Sequence, residues 1–266
     1  MIKDEYYTLY NGVKIPKVAL GTWQSSPIDA YNATLYAIKN GYTHIDTALA
    51  YDNEEAIGRA IKDSETHRSK LFITTKCPAE VKSYDGAINA FNTSLSNLGL
   101  DYIDLYLIHA PWPWSEIGKN YDKENIEVWK ALIEIYKSGK VRSIGVSNFS
   151  PHDIKNVWDA TDFKPMVNQI RYFVGDIEKD YTDYCDEHNI LVEAYSPLAT
   201  GKILNDSKYI ELSKKYNVSV AQLLLRFCIE NGRLPLPKST HEERIIKNID
   251  LDFKISEEDM EYLNSL

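Results

Sequence analysis

Short apolar runs alternate along the chain with longer segments in which apolar residues recur at helical spacing. The short runs have the length of β-strands and lie at residues 18–20, 44–46, 71–75, 103–108, 141–146, 166–170, 191–195 and near 234. The longer segments predict helices over residues 29–39, 53–62, 85–98, 124–137 and 220–230, and Ser150-Pro151 begins another. Eight strands with helices between them predict an α/β fold, the (β/α)8 TIM barrel, in one domain over residues 1–266.

The first residues show a different pattern, with polar and mixed residues on both sides of a turn. Residues 7–9 and 13–15 flank Asn11-Gly12, a dipeptide typical of the type I′ turn of a β-hairpin. Because neither segment is continuously apolar, we expect this N-terminal β-hairpin to be a lid over one end of the barrel rather than part of it.

A doubly wound parallel sheet has the same alternation of strands and helices. Such a sheet usually carries a G-x-G-x-x-G motif directly after its first strand. The corresponding segment here is Leu20-Gly21-Thr22-Trp23, which does not fit that motif. The barrel is therefore the favoured architecture.

The composition is acidic, with a formal net charge of −9 and an isoelectric point near 5.2. This charge argues against nucleic acid or an anionic membrane as a general partner. The apolar runs are too short to span a membrane, and the N-terminus lacks the apolar region of a secretory signal. The three cysteines, Cys77, Cys185 and Cys228, have no paired spacing. We expect a cytoplasmic monomer whose thiols stay reduced.

Polar and charged residues stand where the predicted strands end, which is the end of a barrel where active sites form. Asp46 ends one strand, Lys76 and His109 follow two others, and Tyr51 lies on the loop after Asp46. An ammonium near a phenol lowers the pKa of a tyrosine from its usual value of about 10. A buried lysine needs a partner, and Asp46 is the obvious one. This set is typical of a proton donor for carbonyl reduction, in which the developing alkoxide needs a proton.

Three longer segments resemble the motifs of a known family. GYTHIDTALAYDNEEAIG at residues 41–58, IGVSNFSPHDI at 144–154 and LPLPKSTHEERIIKN at 234–248 resemble, in order, the three motifs of the aldo-keto reductases. LFITTK, DLYLIH, VNQI and VEAYSPLATG match the family between them, so the resemblance runs from about Gly12 to Leu266. The sequence is similar to short bacterial members of the family, such as the diketogluconate and glyoxal reductases. It implies NADPH-dependent reduction of small carbonyls, such as glyoxals, aromatic aldehydes or keto-sugars.

The resemblance implies a role for each of the four strand-end residues. Tyr51 resembles the general acid, Lys76 the residue that lowers its pKa, and Asp46 the carboxylate that fixes Lys76. His109 resembles the residue that orients the carbonyl group and tunes the tyrosine. Considered one at a time, each residue has an ordinary structural explanation: an aspartate in a turn, a tyrosine packed in the core, or a hydrogen-bonded histidine. All four in the family's order favour catalysis.

The loop that begins at Lys238 places cations at the start of a helix, where the N-terminus itself attracts anions. Lys238, Ser239 and Arg244 combine two cations with a hydroxyl, a set that suits a phosphate monoester. In the family this loop holds the 2′-phosphate of the cofactor, and Asn248 resembles the residue that contacts adenine. The resemblance therefore implies NADPH/NADP+. NADH stays open, because Lys247 stands where relatives often carry an acidic residue, and a solvated helix start is the structural alternative.

Strand-end residues also supply candidates for the nicotinamide end of the cofactor. Ser147, Asn148 and Gln169 offer donors and acceptors that fix a carboxamide, and Tyr195 offers a ring for stacking. By resemblance, the loop after Tyr195 wraps the pyrophosphate with Ser196, Leu198 and Gly201.

The substrate pocket is where the sequence departs most from the family pattern. Trp23, Trp112 and Trp114 are the candidate aromatic wall, although each has an alternative role in packing. Ala110 stands where many relatives have Trp. The chain ends at Leu266, soon after the last predicted helix, so we expect a more open and less selective pocket.

One unusual pair is suggested by strand parity. Arg171 replaces a glutamate that is frequent in the family, and Glu193 shares the inward parity of Tyr195. A pairing of Arg171 with Glu193 is therefore conceivable.

Two functions from other classes stay open. A non-catalytic NADP(H)-binding redox sensor would use the same barrel, although the intact set of four residues argues against it. A metal-dependent enzyme would use His44, Asp46 and His109 as ligands, since His44 and Asp46 share a strand face. An ammonium at Lys76 is unfavourable beside a divalent cation, which argues against the metal.

Overall fold

The computed structural model describes all 266 residues. An antiparallel pair, β1 (Tyr6–Thr8) and β2 (Lys14–Pro16), precedes eight parallel strands. These are β3 (Leu20–Gly21), β4 (His44–Asp46), β5 (Phe72–Cys77), β6 (Ile103–Ile108), β7 (Val141–Ser147), β8 (Val167–Arg171), β9 (Leu191–Tyr195) and β10 (Leu234–Leu236). Each pairs with the next strand in the chain.

The parallel sheet closes on itself between β3 and β10. The Gly21 N–H donates to the carbonyl of Pro237 at 3.0 Å, and Gly21 forms a parallel bridge with Lys238. A Cβ on Gly21 would lie 2.9 Å from the carbonyl oxygen of Leu236, so glycine permits this close approach. The predicted (β/α)8 barrel is confirmed.

The helices surround the barrel; most of them connect one strand to the next, and the last two follow the last strand. They are α1 (Pro27–Lys39), α2 (Glu54–Asp63), α3 (Tyr84–Leu98), α4 (Asp122–Lys137), α5 (Pro151–Thr161), α6 (Lys179–Glu187), α7 (Ser207–Lys215), α8 (Val220–Glu230), α9 (Glu242–Ile249) and α10 (Glu257–Asn264). None combines the length and the apolar character that crossing a membrane would require. The sequence did not predict α6 or α7, because both are mostly polar: α6 buries only Thr182 and Cys185, and α7 only Tyr209 and Ser213.

Side-chain caps fix the start of two helices that lead away from the cavity end of the barrel. Ser150 accepts a hydrogen bond from the N–H of Asp153, and the Asp153 carboxylate accepts one from the Ser150 N–H. Ser219 and Gln222 form the same reciprocal pair at the start of α8. Such capping boxes satisfy N–H groups that have no partner inside the helix.

The N-terminal hairpin covers the end of the barrel where the strands begin. Tyr7 Oη donates to the carbonyl of Arg233, directly before β10, at 3.3 Å. Leu9 and Ile15 of the hairpin are buried against the barrel core. The lid therefore lies opposite the carboxyl ends of the strands.

The predicted type I′ turn of the hairpin is wrong. That turn needs positive φ at both central residues, but Gly12 has a φ of +86° and Asn11 does not adopt a positive φ. The Gly12 N–H donates to the Leu9 carbonyl at 2.8 Å, and the Leu9 N–H donates to Val13 at 2.9 Å. The loop is one residue longer than predicted, with a turn followed by a left-handed glycine.

Gly58 of α2 offers a test of the packing between helices. A Cβ at this position would lie 2.3 Å from the backbone oxygen of Leu98 in α3. In an open helix Gly→Ala gains about 1 kcal/mol, but here we expect Gly58→Ala to lower the free energy of unfolding by about 1–3 kcal/mol because the helices must separate. Urea denaturation measures the change. Asn89→Ala, at an exposed position of α3, is the control and should not destabilise; a Gly58→Ala protein as stable as the wild type would contradict the packing argument.

Candidate active site

A large cavity of about 1210 Å³ opens at the carboxyl ends of the barrel strands. Two predicted site residues do not line this cavity: Lys76 is fully buried, and Trp112 packs on the lining residue Trp114. The other predicted site residues all line the cavity: Trp23, Asp46, Tyr51, His109, Trp114, Ser147, Asn148, Gln169, Tyr195, Ser196, Leu198, Gly201, Lys238, Ser239, Arg244 and Asn248.

Lys76 and Asp46 form a buried ion pair below the cavity. Lys76 Nζ donates to Asp46 Oδ1 at 2.6 Å and to the Thr47 carbonyl at 2.8 Å. Burial acts to lower the pKa of Lys76, but Asp46, together with Tyr51 and Glu193, outweighs burial and raises it. Lys76 therefore keeps its ammonium, although its side chain is fully buried.

Tyr51 ends the short helical turn after β4, and its ring lines the cavity. Lys76 Nζ lies 5.1 Å from the centre of this ring. Burial raises the pKa of Tyr51, whereas the Lys76 charge lowers it, and the net shift is upward. The expected lowering of the Tyr51 pKa is therefore wrong for the protein alone, because the cost of burying a phenolate exceeds the help from the ammonium. Tyr51 holds its proton at neutral pH.

His109 is a neutral imidazole beside Tyr51. Its ring centre lies 5.6 Å from that of Tyr51 and 5.4 Å from that of Trp114. Burial lowers the pKa of His109 to about 3, and the Lys76 charge acts in the same direction. A neutral ring has one N–H donor and one acceptor nitrogen, and the buried Nδ1 has no partner.

Gln169 joins Asp46 to a second buried carboxyl group. Its Nε2 donates to Asp46 Oδ2 at 2.9 Å and to Glu193 Oε2 at 2.7 Å. Ser147 Oγ donates to the backbone carbonyl of Gln169 at 2.8 Å. The sequence marked Gln169 and Ser147 as site residues but gave Glu193 no role in the site.

Asn148 links the Tyr195 ring to the backbone of His109. Its Oδ1 accepts from Tyr195 Oη at 2.7 Å, and its Nδ2 donates to the His109 carbonyl at 3.1 Å. Asn148 has a φ of +60°, a left-handed conformation that asparagine tolerates. These bonds fix the Tyr195 ring at the edge of the cavity.

The loop after β9 also lines the cavity and has an unusual backbone. Ser196, Ala199 and Thr200 have φ values of +50°, +48° and +55°. Non-glycine residues in the left-handed region carry strain of a kind that concentrates at ligand sites. This loop is the one expected to wrap a pyrophosphate.

Two cations face the cavity without an acidic partner. Lys238 and Arg244 line it together with Ser239, and neither forms an ion pair. Glu243 instead approaches Lys247, at 3.9 Å. The alternative in which the acids of α9 balance Arg244 is therefore not what the structure shows. Two cations, a hydroxyl and a helix start suit an anionic group such as a phosphate monoester.

The start of α8 is a part of the cavity wall that the sequence analysis missed. Ser219, Val220 and Ala221 line the cavity. The Ser219-x-x-Gln222 capping box is visible in the sequence and marks a helix N-terminus. Only the closure of the barrel places that terminus beside the site.

The aromatic wall consists of two tryptophans rather than three. Trp23 and Trp114 line the cavity and are 48% and 41% exposed, so apolar surface is open to a ligand. Trp112 does not line the cavity and packs edge-to-face on Trp114, with ring centres 5.4 Å apart. Trp112 therefore contacts the wall through Trp114 and is not part of the cavity lining.

The conceivable pairing of Arg171 with Glu193 is wrong. Gln169 stands opposite Glu193 in the strand register, whereas Arg171 stands opposite Tyr195 at the mouth of the barrel. There Arg171 pairs with Asp176 at 2.6 Å. The Arg171 side chain is exposed at the rim, whereas Glu193 is fully buried.

The three residues of the alternative metal site do not form a ligand group. His44 Nε2 bonds Thr74 Oγ1 at 2.9 Å, and His44 does not line the cavity. Both oxygens of Asp46 are used by Lys76 and Gln169. The only cluster with metal-ligand spacing lies elsewhere, at Asp122, His152 and Asp153.

Comparison with known proteins agrees with this geometry. The model of the "Aldo/keto reductase family" matches residues 17–266. The chain is 43% identical to glyoxal reductase of Bacillus subtilis (strain 168) over 260 residues, which cover 97% of this chain and 91% of the relative. An aldo/keto reductase from Brucella melitensis superposes with a TM-score of 0.92 at 38% identity and covers 98% of both chains.

A second solved relative shows the cofactor. The structure of a Bombyx mori aldo-keto reductase in complex with NADP has a TM-score of 0.89 and 36% identity, and covers 98% of this chain and 92% of its own. Family match, identity over nearly the whole chain and a common barrel all agree. The chain therefore belongs to the aldo/keto reductase family and is an NADP-dependent oxidoreductase of carbonyl groups.

Proposed function

We propose that the protein reduces small aldehydes and ketones to alcohols with NADPH, and that Tyr51 is the proton donor. The observation that carries this proposal is the buried Lys76–Asp46 ion pair next to Tyr51. A buried ammonium is costly to hold, and Lys76 is the one group whose charge and hydrogen bond favour loss of the Tyr51 proton. Such tuning is typical of a general acid.

The residues of the cavity fit NADPH by the chemistry of their donors. When bound, NADPH supplies the hydride that reduces the carbonyl carbon. Lys238, Ser239 and Arg244 would hold the 2′-phosphate, as two unpaired cations and a hydroxyl. Asn248 would contact the adenine. At the other end, Ser147, Asn148, Gln169 and Tyr195 would hold the nicotinamide, with Ser196, Leu198 and Gly201 along the pyrophosphate.

Residues of the chain itself would orient the carbonyl group and supply the proton. His109 is neutral, so its N–H can donate to the carbonyl oxygen without adding charge. Negative charge grows on that oxygen as the carbon is reduced, and Tyr51 Oη gives it a proton. The phenolate that remains is stabilised by Lys76 until water returns the proton, since Lys76 keeps its charge.

The exposed aromatic wall favours small, planar or apolar carbonyl compounds. Trp23 and Trp114 offer open ring surface at the mouth, while His109 and Tyr51 offer the polar contacts. One similar protein is named glyoxal reductase. We therefore propose glyoxals first, then aromatic aldehydes and keto-sugars, as the substrate class.

A panel of these compounds tests the substrate class. Initial rates of NADPH oxidation are compared for a glyoxal, an aromatic aldehyde, an aliphatic ketone and a keto-sugar at equal concentration. We expect the highest kcat/KM with the glyoxal or the aromatic aldehyde. A clear preference for the keto-sugar would contradict the argument from the aromatic wall.

Arg244 is expected to distinguish NADPH from NADH. Arg244→Ala should weaken NADPH binding by about 10–100-fold, since a hydrogen bond to a charged group contributes about 1.5–3 kcal/mol. The dissociation constant for NADH, which lacks the phosphate, should change little. Fluorescence titration measures both constants, and NADH is the internal control. Equal weakening of the two cofactors would contradict a role at the 2′-phosphate.

The free thiols support the part of the proposal that concerns the cellular compartment. Cys77, Cys185 and Cys228 are all free and buried, which favours a reducing compartment such as the cytoplasm.

A further inference from the structure

We propose that Glu193 is a positioning residue of the active site: it orients the Gln169 amide and, when it ionises, places a second negative charge beside the Asp46–Lys76 pair. This inference rests on the proposed roles of Tyr51 and Gln169. Glu193 lies on β9, two residues before Tyr195, and its side chain is fully buried.

The first step of the argument is the orientation of Gln169. Its two amide hydrogens are directed to two carboxyl groups, Asp46 at 2.9 Å and Glu193 at 2.7 Å. No protein group donates to its side-chain oxygen, and Gln169 lines the cavity. An amide is assigned by its hydrogen-bond network, and two acceptors on one side fix the NH2 there. Glu193 thus keeps the acceptor end of Gln169 available to the NH2 of a carboxamide.

The second step is the charge of Glu193. Burial raises the pKa of Glu193 to about 8, and the negative charge of Asp46 acts in the same direction, while Gln169 and Lys76 oppose it. The neighbouring strand β10 contributes only Leu234, Pro235 and Leu236. Glu193 Oε1 has no hydrogen-bond partner, and the Gln169 hydrogen bond and the Lys76 charge together do not offset the burial of a second carboxylate. Glu193 is therefore neutral near pH 7, and Lys76 then balances Asp46 alone.

The consequence is an alkaline limit on carbonyl reduction. A charged Glu193 adds a second carboxylate beside Lys76, the group whose charge favours loss of the Tyr51 proton, and so offsets that charge. Because the ionised form is then the less competent one, kcat/KM of the wild type should decrease as pH rises through about 8. Tyr51 and His109 do not account for this fall, because the pKa of Tyr51 is raised and that of His109 is about 3.

The test compares the pH profiles of the wild type and Glu193→Gln. The neutral amide can still present an oxygen to Gln169, so we expect the fall near pH 8 to move to higher pH. Lys82, whose pKa burial lowers to about 8, titrates in the same range, and Lys82→Met is the matched control that should retain the fall. A fall that persists unchanged in Glu193→Gln, or that vanishes in Lys82→Met, would overturn the proposal.

Stability against pH gives a second readout that does not depend on activity. The folded chain holds the Glu193 proton up to about pH 8, whereas an ordinary glutamate loses it near 4.5. The free energy of unfolding should therefore decrease as pH rises between these values and level off above them. The decrease should be smaller in Glu193→Gln. Identical curves for the two proteins would mean that Glu193 is ionised in the fold, and would overturn the proposal.

A third variant separates orientation from charge. Glu193→Met removes both the charge and the hydrogen bond to Gln169, so it should share the pH shift of Glu193→Gln but bind NADPH several-fold more weakly. Equal NADPH affinity in the two variants would refute the orienting role. Tyr51→Phe is measured in parallel, and the proton-donor proposal fails if this variant stays active. If Tyr51→Phe is inactive but the pH profiles of the wild type and Glu193→Gln coincide, only the Glu193 proposal fails.

Discussion

Tyr51→Phe is expected to lower kcat for carbonyl reduction by about 10²–10⁴-fold, the usual contribution of a positioned general acid. Phenylalanine keeps the ring that lines the cavity and removes only the hydroxyl. The dissociation constant for NADPH should therefore stay close to that of the wild type. Rates of NADPH oxidation and fluorescence titration of the cofactor measure the two quantities separately.

The control for this variant is another tyrosine that loses only its hydroxyl. Tyr36 lies on α1, outside the cavity, so Tyr36→Phe should leave both rate and affinity unchanged. A Tyr51→Phe protein that keeps a wild-type rate would show that the proton comes from another group. A loss of rate that comes with an equal loss of NADPH affinity would instead point to a damaged cavity.

Lys76→Met is expected to impair both stability and activity. The substitution leaves Asp46 buried without its cation, and breaking a buried pair in this way costs about 3–5 kcal/mol of unfolding free energy. It also removes the charge that opposes the burial of Tyr51, so the Tyr51 pKa should rise further and reduction should slow by about 10²-fold or more. Urea denaturation and kcat measure the two effects.

A double variant separates the two effects of Lys76. Asp46→Asn combined with Lys76→Met removes both charges, so much of the lost stability should return. Activity should not return, because no cation remains near Tyr51. If the double variant regains a wild-type rate, the loss in Lys76→Met is due to misfolding alone and Lys76 does not tune the proton donor.

The barrel could be predicted closely because strand-length apolar runs and helix boundaries are local features. The strands His44–Asp46, Ile103–Ile108 and Leu191–Tyr195 agree with the sequence pattern at both ends. The position of Asp46 and Lys76 at strand ends, and of Tyr51 on the loop after Asp46, also followed from the predicted strand boundaries and the rule that barrel sites form there. These parts depend on a few neighbouring residues.

The parts that could not be predicted depend on distances across the fold. The direction in which the Tyr51 pKa shifts depends on whether burial outweighs the Lys76 charge, and no spacing in the sequence gives that balance. The contacts of Arg171 were predicted wrongly because strand parity does not show where a strand leaves the barrel. Those of Trp112 were predicted wrongly because the sequence of a loop does not show which side chains face the cavity. Glu193 became visible as part of the site only through its bond to Gln169.

Turnover by the wild-type protein tests most directly whether this barrel is a catalyst or a cofactor-binding sensor. Purified protein is given excess NADPH and a glyoxal, and the alcohol formed is counted against the NADPH oxidised and the protein present. We predict many turnovers with one alcohol formed for each NADPH oxidised. Binding of NADPH with no alcohol formed from any carbonyl of the panel would contradict the catalytic role and favour the redox sensor.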